Sequence, residues 1–468
     1  MDGSRPRANP VPLWQVILLA VLACRVVGFA AMWSQLVLNM DFSAYYTAGR
    51  SMNRGLDPYR NQVGEAGGED LWDGVSRYRH SRFLYPPLVG HAFRPIALLP
   101  FPTAKLLWAA IQLAALIIGV ALFAKAARQP LLPVLLLALA SHPLLVHLER
   151  GQIDLVTFAL LAAALWLTVS PPGSWRQWAA GACVAAATLV KLPCFLLLPF
   201  LALRRRWRSV GGFAATLLAL IALDAILDRR LTIQYYSAEL PRILRFGEAG
   251  PSHYLLPEGV RGPLEMAMAQ GQVTVAGDSY QLTAMPFVFN ASLARELAQR
   301  HCRDCPWLPV AVLTGLLAAA WALAGRGLHA PGGATGEVAY FLLACAVTLL
   351  ASPLSWTMNT VWLFPGMLLL SPLQAHPRRR ASQAALAEVG LAATVVGLGL
   401  LAVPDQFAFP LALPPPWAEF LRYKYVLSGL LLLVACGVVL RLTSAGAADA
   451  RALPPQVSAG RDVAGAGG

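Results

Sequence analysis

Long apolar runs alternate with short polar breaks along almost the whole chain. Runs long enough to cross a bilayer, roughly 17 to 25 residues, begin near Val11, Lys105, Leu131, Ile153, Gly211, Trp307, Glu337, Ala384 and Lys424. Shorter apolar pieces lie at 85–100, 178–200 and 361–371. The pattern predicts an all-α integral membrane protein of about 11–12 transmembrane helices, some short or re-entrant, because a helix satisfies its own backbone groups in lipid. The membrane domain is expected over 1–443, with a large outer-face loop at 228–306 and a disordered cytoplasmic tail at 444–468. The first run, 11–38, is longer than a signal-peptide core and reads as an uncleaved anchor.

Basic residues set the orientation. Arg5 and Arg7, Lys125 and Arg128, Arg176, the cluster Arg204, Arg205, Arg206 and Arg208, then Arg326, the arginines at 378–380, Arg441 and Arg451 recur at alternating helix ends. The positive-inside rule places these ends and both termini in the cytoplasm. Arg176 and the Arg204 cluster then share a side although a single apolar run separates them. That run is expected to enter and return, turning at Lys191, Leu192 and Pro193, since proline cannot donate to the helix ladder.

Composition agrees with a membrane protein: 57% of residues are hydrophobic and 13% charged. A net charge of +13 would point to nucleic acid in a soluble protein, but here the excess follows the cytoplasmic loops and no nucleic-acid partner is expected. Five of the seven cysteines, Cys24, Cys183, Cys194, Cys345 and Cys436, fall in apolar runs and read as core residues. Cys302 and Cys305 stand on the outer side, where a local disulfide fits.

On this topology the unusual polar residues gather on one face. Asp41 stands where the first apolar run leaves the membrane, and the helical pattern after it, Phe42, Tyr45, Tyr46 and Gly49, is expected to lie along the interface with its rings at headgroup depth. An ionisable group at that boundary is costly and marks a functional position. Desolvation moves a carboxylate toward the basicity that a general base needs, while a helix cap is the plainer reading of an Asp at a helix start. Tyr45, Tyr46, Tyr59 and Tyr85 can stack on a sugar or form an aromatic belt. Glu149, Arg150, Asp154 and Lys191 interrupt apolar sequence, so they either pair with one another or meet a lipid phosphate. Arg82 is a further phosphate candidate, and no DxD pattern for a metal-bound nucleotide sugar stands in the outer loops.

The ordered blocks DFSAYYTAGRSMNRGLDPY, FLYPPLVGHAFRPIALLP, GQID, KLPCFLLLPFLALRRRWR, FNASL and SPLSW followed by VWLFP resemble glycosyltransferase family 87 from about Asp41 to Pro365. The resemblance implies a GT-C type bundle and a mannosyltransferase-like activity dependent on a polyprenyl-phosphate sugar. It implies inverting transfer of a hexose, mannose by resemblance, to a lipid or glycan acceptor on the outer face of the cytoplasmic membrane. Asp41 then occupies the position of the catalytic base. Tyr45, Tyr46, Tyr59, Arg82, Tyr85, Gln152, Lys191, Asn290, Ser355, Trp356 and Asn359 become the substrate-binding candidates. No metal or other cofactor is implied, because cations can receive the departing phosphate. Two departures stand out: many relatives follow the SW pair with histidines where this chain has Thr357, Met358 and Asn359, and Asp154 stands where a neutral polar residue is common. A polyprenyl-lipid transporter or flippase, and a catalytically silent partner in envelope assembly, are the alternative classes. The sequence sets no oligomeric state.

Overall fold

The computed structural model of the chain describes residues 12–35, 40–59, 83–169, 174–244, 254–255, 273–276, 279–282, 291–301, 307–329, 333–374, 381–404, 420 and 423–452. Helices dominate: α1 (Leu13–Gln35), α2 (Met40–Asn53), α3 (Pro87–Phe93), α4 (Phe101–Ala127), α5 (Leu131–Ala140), α6 (His142–Arg150), α7 (Asp154–Val169) and α8 (Ser174–Val190) come first. A 3-10 helix (Leu192–Leu197) leads into α9 (Leu198–Leu203), α10 (Trp207–Leu227) and α11 (Arg229–Gln234); a π-helical turn (Tyr235–Glu239) then joins α12 (Leu240–Leu244). After the long loop come α13 (Leu293–His301), α14 (Leu308–Ala324), α15 (Gly333–Ala351), a 3-10 helix (Thr357–Leu369), α16 (Leu370–Gln374), α17 (Ala381–Ala402) and α18 (Lys424–Ala452).

Among the described residues six helices are long and apolar enough to cross a membrane, or seven if α5 and α6, bent by 63°, form one broken span. α7, the Leu192–Leu203 segment and α14 are apolar but shorter. The expected 11–12 included short or re-entrant pieces, and prolines produce several of these: Pro143 opens α6, and Pro193 and Pro199 divide the segment after α8. α15 forms the centre, with 78% of its apolar window buried against 11% for α1. That difference fits their surfaces, since α1 turns Leu13, Trp14, Ile17 and Val21 outward while α15 is apolar all round.

The run after Arg176 behaves as its charges require. Gly181 in α8 lies against Ser209 and Phe213, and Gly212 in α10 lies against the Trp178 backbone. The starts of α8 and α10 therefore meet, the chain turns back at Lys191, and Leu192–Leu203 returns beside α8.

The all-α class stands, the long loop adds one feature that the sequence did not foresee, and two expectations are corrected. The long loop contains a three-stranded antiparallel sheet, β1 (Tyr254–Leu255), β2 (Val273–Ala276) and β3 (Ser279–Leu282), in the order β1-β3-β2. Its β2–β3 pair runs from Val273 opposite Leu282 to Ala276 opposite Ser279. α18 runs to Ala452, into the tail expected to be disordered, because the sequence SAGAADARA is rich in alanine, the strongest helix former. The α2 aromatics form no headgroup belt: Phe42, Tyr45 and Tyr46 are fully buried against Phe93, Phe101 and Trp108. The tail beyond 452, Cys302 and Cys305 lie outside the described residues.

The α8–α10 contact gives a direct test. A Cβ on Gly181 would stand 1.9 Å from the Ser209 carbonyl oxygen, a distance that no rotamer change relieves. Gly181→Val is expected to lower stability by about 1–3 kcal/mol or to prevent folding, read as the thermal unfolding midpoint in detergent. An unchanged midpoint would show that the two helices do not approach this closely.

Candidate active site

Four helix ends converge at one end of the bundle, and each carries the charge that its dipole favours. Asp41 lies in the first turn of α2 and Asp154 in the first turn of α7. Arg150 lies in the last turn of α6, and Lys191 follows the last residue of α8. The α6–α7 turn makes the convergence possible. Gly151 adopts a left-handed conformation (φ 67°), and a Cβ there would stand 2.5 Å from the Phe42 Cβ. Glycine is thus required both for the turn and for the approach of α2. Trp108 fixes the turn by donating its indole N–H to the Gly151 carbonyl at 2.8 Å.

Arg150 grips Asp41 through two bonds, Nε to Oδ2 at 2.5 Å and Nη2 to Oδ1 at 3.2 Å. The sequence left open whether the arginine pairs internally or meets a phosphate; in this structure it is paired with the carboxylate. Desolvation therefore does not act alone on Asp41, because the guanidinium compensates its charge and fixes its orientation.

The second pair lies deeper. Lys191 Nζ stands 3.0 Å from Asp154 Oδ2, with the lysine side chain 10% exposed and the aspartate fully buried. Lys191 also donates to Gln152 Oε1 at 3.3 Å. The Tyr45 hydroxyl donates to the same oxygen at 3.2 Å and lies 2.8 Å from the Tyr85 hydroxyl. Burial pushes both phenols above the ordinary tyrosine range, so they remain neutral hydrogen-bonding groups. On the other side, Asn359 donates its side-chain amide to Asp154 Oδ1 and accepts the Trp356 backbone N–H at 2.6 Å. Asp154 and Asn359, 205 residues apart in the chain, are thus bonded to each other.

Tyr85, Tyr45, Gln152, Lys191, Asp154, Asn359 and Trp356 are therefore linked by successive contacts, and the Asp41–Arg150 pair stands beside them, near enough for the Asp41 charge to act on Tyr45, Tyr85 and Lys191. Ser355, next to Trp356, is buried, with a hydroxyl that finds no hydrogen-bond partner among the described residues. Tyr46 and Tyr59 are not part of these contacts. The Tyr46 hydroxyl donates to the Leu99 carbonyl, and the Tyr59 hydroxyl donates to the Tyr85 carbonyl while its ring stacks on Tyr235. Both hold the aromatic cluster together. Arg82 and Asn290 lie outside the described residues.

Two residues were missed in the sequence. His147 accepts the Leu155 N–H on Nε2 at 3.1 Å and so braces the start of α7. Arg295 is buried in α13 with its guanidinium 4.7 Å from the Trp356 ring centroid. His147 carried no signal beyond a polar residue amid apolar neighbours, and Arg295 fell in a stretch, 291–299, that reads as a short helix of the long loop without naming a partner for the arginine. Among the described residues no group of three or more His, Cys, Asp or Glu is arranged to hold a metal ion.

Removing one partner of a buried ion pair leaves a charge without compensation, at about 3–5 kcal/mol. Asp154→Asn is expected to show most of this loss, and Asp154→Asn with Lys191→Met to recover part of it, measured as a double-mutant cycle of unfolding midpoints. Strictly additive losses would mean that the pair is not coupled.

Comparison with known proteins adds a family to this geometry. A curated relative from Mycolicibacterium smegmatis, a polyprenol-phosphate-mannose-dependent alpha-(1-2)-phosphatidylinositol pentamannoside mannosyltransferase, is 26% identical over 363 residues, 75% of this chain and 74% of that protein. The Mycobacterium tuberculosis protein of the same description is 26% identical over 361 residues, 75% and 71% of the two chains. A solved structure of ArnT from Cupriavidus metallidurans bound to undecaprenyl phosphate is 16% identical and covers 95% of this chain and 81% of its own, at a TM-score of 0.38. The family model of glycosyltransferase family 87 matches residues 83–353, which hold Gln152, Lys191 and the 352–353 start of the Ser355 turn but begin after Asp41. With more than half of its length matched, the chain belongs to glycosyltransferase family 87.

Proposed function

We propose that this membrane glycosyltransferase moves a hexose, mannose first among them, from a polyprenyl-phosphate sugar to a hydroxyl of a lipid or glycan acceptor. The reaction is placed on the outer face of the cytoplasmic membrane and inverts the anomeric centre. The observation that carries this reading is the Asp41–Arg150 pair standing beside the Lys191–Asp154 network. The descriptions of the mycobacterial relatives, which name a polyprenol-phosphate-mannose donor and a phosphatidylinositol mannoside acceptor, support the choice of substrate class.

In this scheme Asp41 takes the acceptor hydroxyl proton as the new bond forms at the anomeric carbon. The bond from that carbon to the phosphate oxygen breaks, its electron pair leaves with the lipid phosphate, and the sugar passes through an oxocarbenium-like state. Arg150 and Lys191 are the cations available to the leaving phosphate. Arg150 has a particular part, since a phosphate that takes either of the two N–H groups now bonded to Asp41 frees an oxygen of that carboxylate. Donor binding would thereby release the base at the moment it is needed. Tyr45, Tyr85, Gln152 and Asn359 are the neutral groups for sugar hydroxyls. Asn359, held by Asp154, also favours a second reading, a silent assembly partner, because an amide cannot titrate or carry charge.

Two measurements separate these readings. With purified protein in lipid, radiolabelled polyprenyl-phosphate mannose and a lipid extract, Asp41→Asn is expected to lower transfer by roughly 10²- to 10⁴-fold while donor binding survives. Retained transfer would remove Asp41 as the base, and no transfer by the unaltered protein with donor bound would favour the silent partner. Because side-chain cations receive the phosphate, EDTA is expected to leave the rate unchanged; a loss restored by a divalent cation would replace that part of the scheme.

A further inference from the structure

α7, α8 and α15 frame the charged site at one end, and the same three helices frame a groove at the other. Leu165, Val184, Leu197 and Ala344 line its apolar interior, and Arg204, Arg206 and Glu337 stand at its mouth. The space between the atoms is about 470 Å³, the open mouth included. Tyr340 supports the wall by donating its hydroxyl to the Phe200 carbonyl at 2.7 Å, and the Arg204 guanidinium lies 4.9 Å from its ring centroid.

The mouth has unspent charge. Arg204 and Arg206 each reach one oxygen of Glu337 at 2.7 Å, so two cations share one carboxylate. Arg204 also donates to the His329 carbonyl, yet its Nε has no hydrogen-bond partner among the described residues although the side chain is only 8% exposed. A buried donor without an acceptor calls for an absent group. Arg205 and Arg208, both exposed, add positive charge alongside. Trp175 and Trp207, each more than 60% exposed, stand at the starts of α8 and α10, and exposed tryptophans at the ends of apolar helices are suited to lipid headgroups.

We propose that this groove is a binding site for an anionic glycerophospholipid, with one acyl chain on the apolar wall and the phosphodiester against Arg204 and Arg206. One negative charge balances the two arginines and Glu337, and the phosphate oxygen supplies an acceptor for Arg204 Nε. The apolar wall favours a lipid over a free anion, because inorganic phosphate would leave that wall empty. The site is independent of the transfer chemistry, since it lies at the opposite ends of α7, α8 and α15 from Asp154, Lys191 and the Ser355 turn.

Native mass spectrometry of the full-length protein in neutral detergent tests this with phosphatidylglycerol and phosphatidylcholine of identical chains. The unaltered protein is expected to retain phosphatidylglycerol by roughly five- to tenfold over phosphatidylcholine, and Arg206→Gln to lose that preference. Glu337→Gln should increase it, a gain that misfolding cannot produce, and Ala344→Leu should reduce retention of the long-chain lipid by narrowing the groove. Equal retention of the two lipids, an unchanged preference in both Arg206→Gln and Glu337→Gln, or displacement by inorganic phosphate would overturn the proposal.

Discussion

Charge placed at a membrane boundary must be compensated locally, and that constraint organises this protein. Asp41, Arg150, Asp154 and Lys191 come from four helices whose ends meet, and each charge is opposed by a partner and supported by its own helix end. None of the four could be placed independently. The 2.5 Å contact of Arg150 with Asp41 fixes α2 against α6, and the 3.0 Å contact of Lys191 with Asp154 fixes the end of α8 against the start of α7.

The apolar parts keep this arrangement rigid. Gly151 and Trp108 hold the α6–α7 turn, and the aromatic cluster of Phe42, Tyr45, Phe93, Phe101 and Trp108 seats α2 on the bundle instead of on lipid. Such packing leaves the polar edge of Tyr45 pointing to Gln152 and Tyr85 while its ring is spent on structure. One side chain thus serves both the core and the polar network, and a change at Tyr45 would disturb both.

The two pairs differ in how they can respond to a phosphate. Asp154 is fully buried and bonded to both Lys191 and Asn359, so its charge is committed within the protein. Arg150 and Asp41 are each partly exposed, at 19% and 11% of the side chain, and a ligand anion can compete for that contact at lower cost. A deep fixed pair beside a shallower exchangeable one suits a site in which a negative group arrives and leaves. At the far end, Arg204 and Arg206 share Glu337 and leave one positive charge over, a different solution to the same constraint.

The sequence by itself determined that the chain is helical and membrane-spanning, because long apolar runs allow no other backbone solution in lipid. It also identified the turn at Lys191, from basic residues that had to share a side, and it picked out Asp41 and Lys191 as ionisable groups in costly surroundings, while Gln152 and Asn359 came only from the family resemblance. What it did not determine was the pairing. Whether Arg150 meets Glu149, Asp154 or Asp41 depends on how α2 and α6 cross at Gly151, and local spacing contains no such information. The same limit hid the burial of Phe42 and Tyr46, since an amphipathic aromatic stripe reads alike whether it faces headgroups or protein. It hid Arg295 as well, which gains its place only when α13 packs on Trp356. Burial cost is written in single residues, but the partner that compensates each one is chosen by tertiary packing.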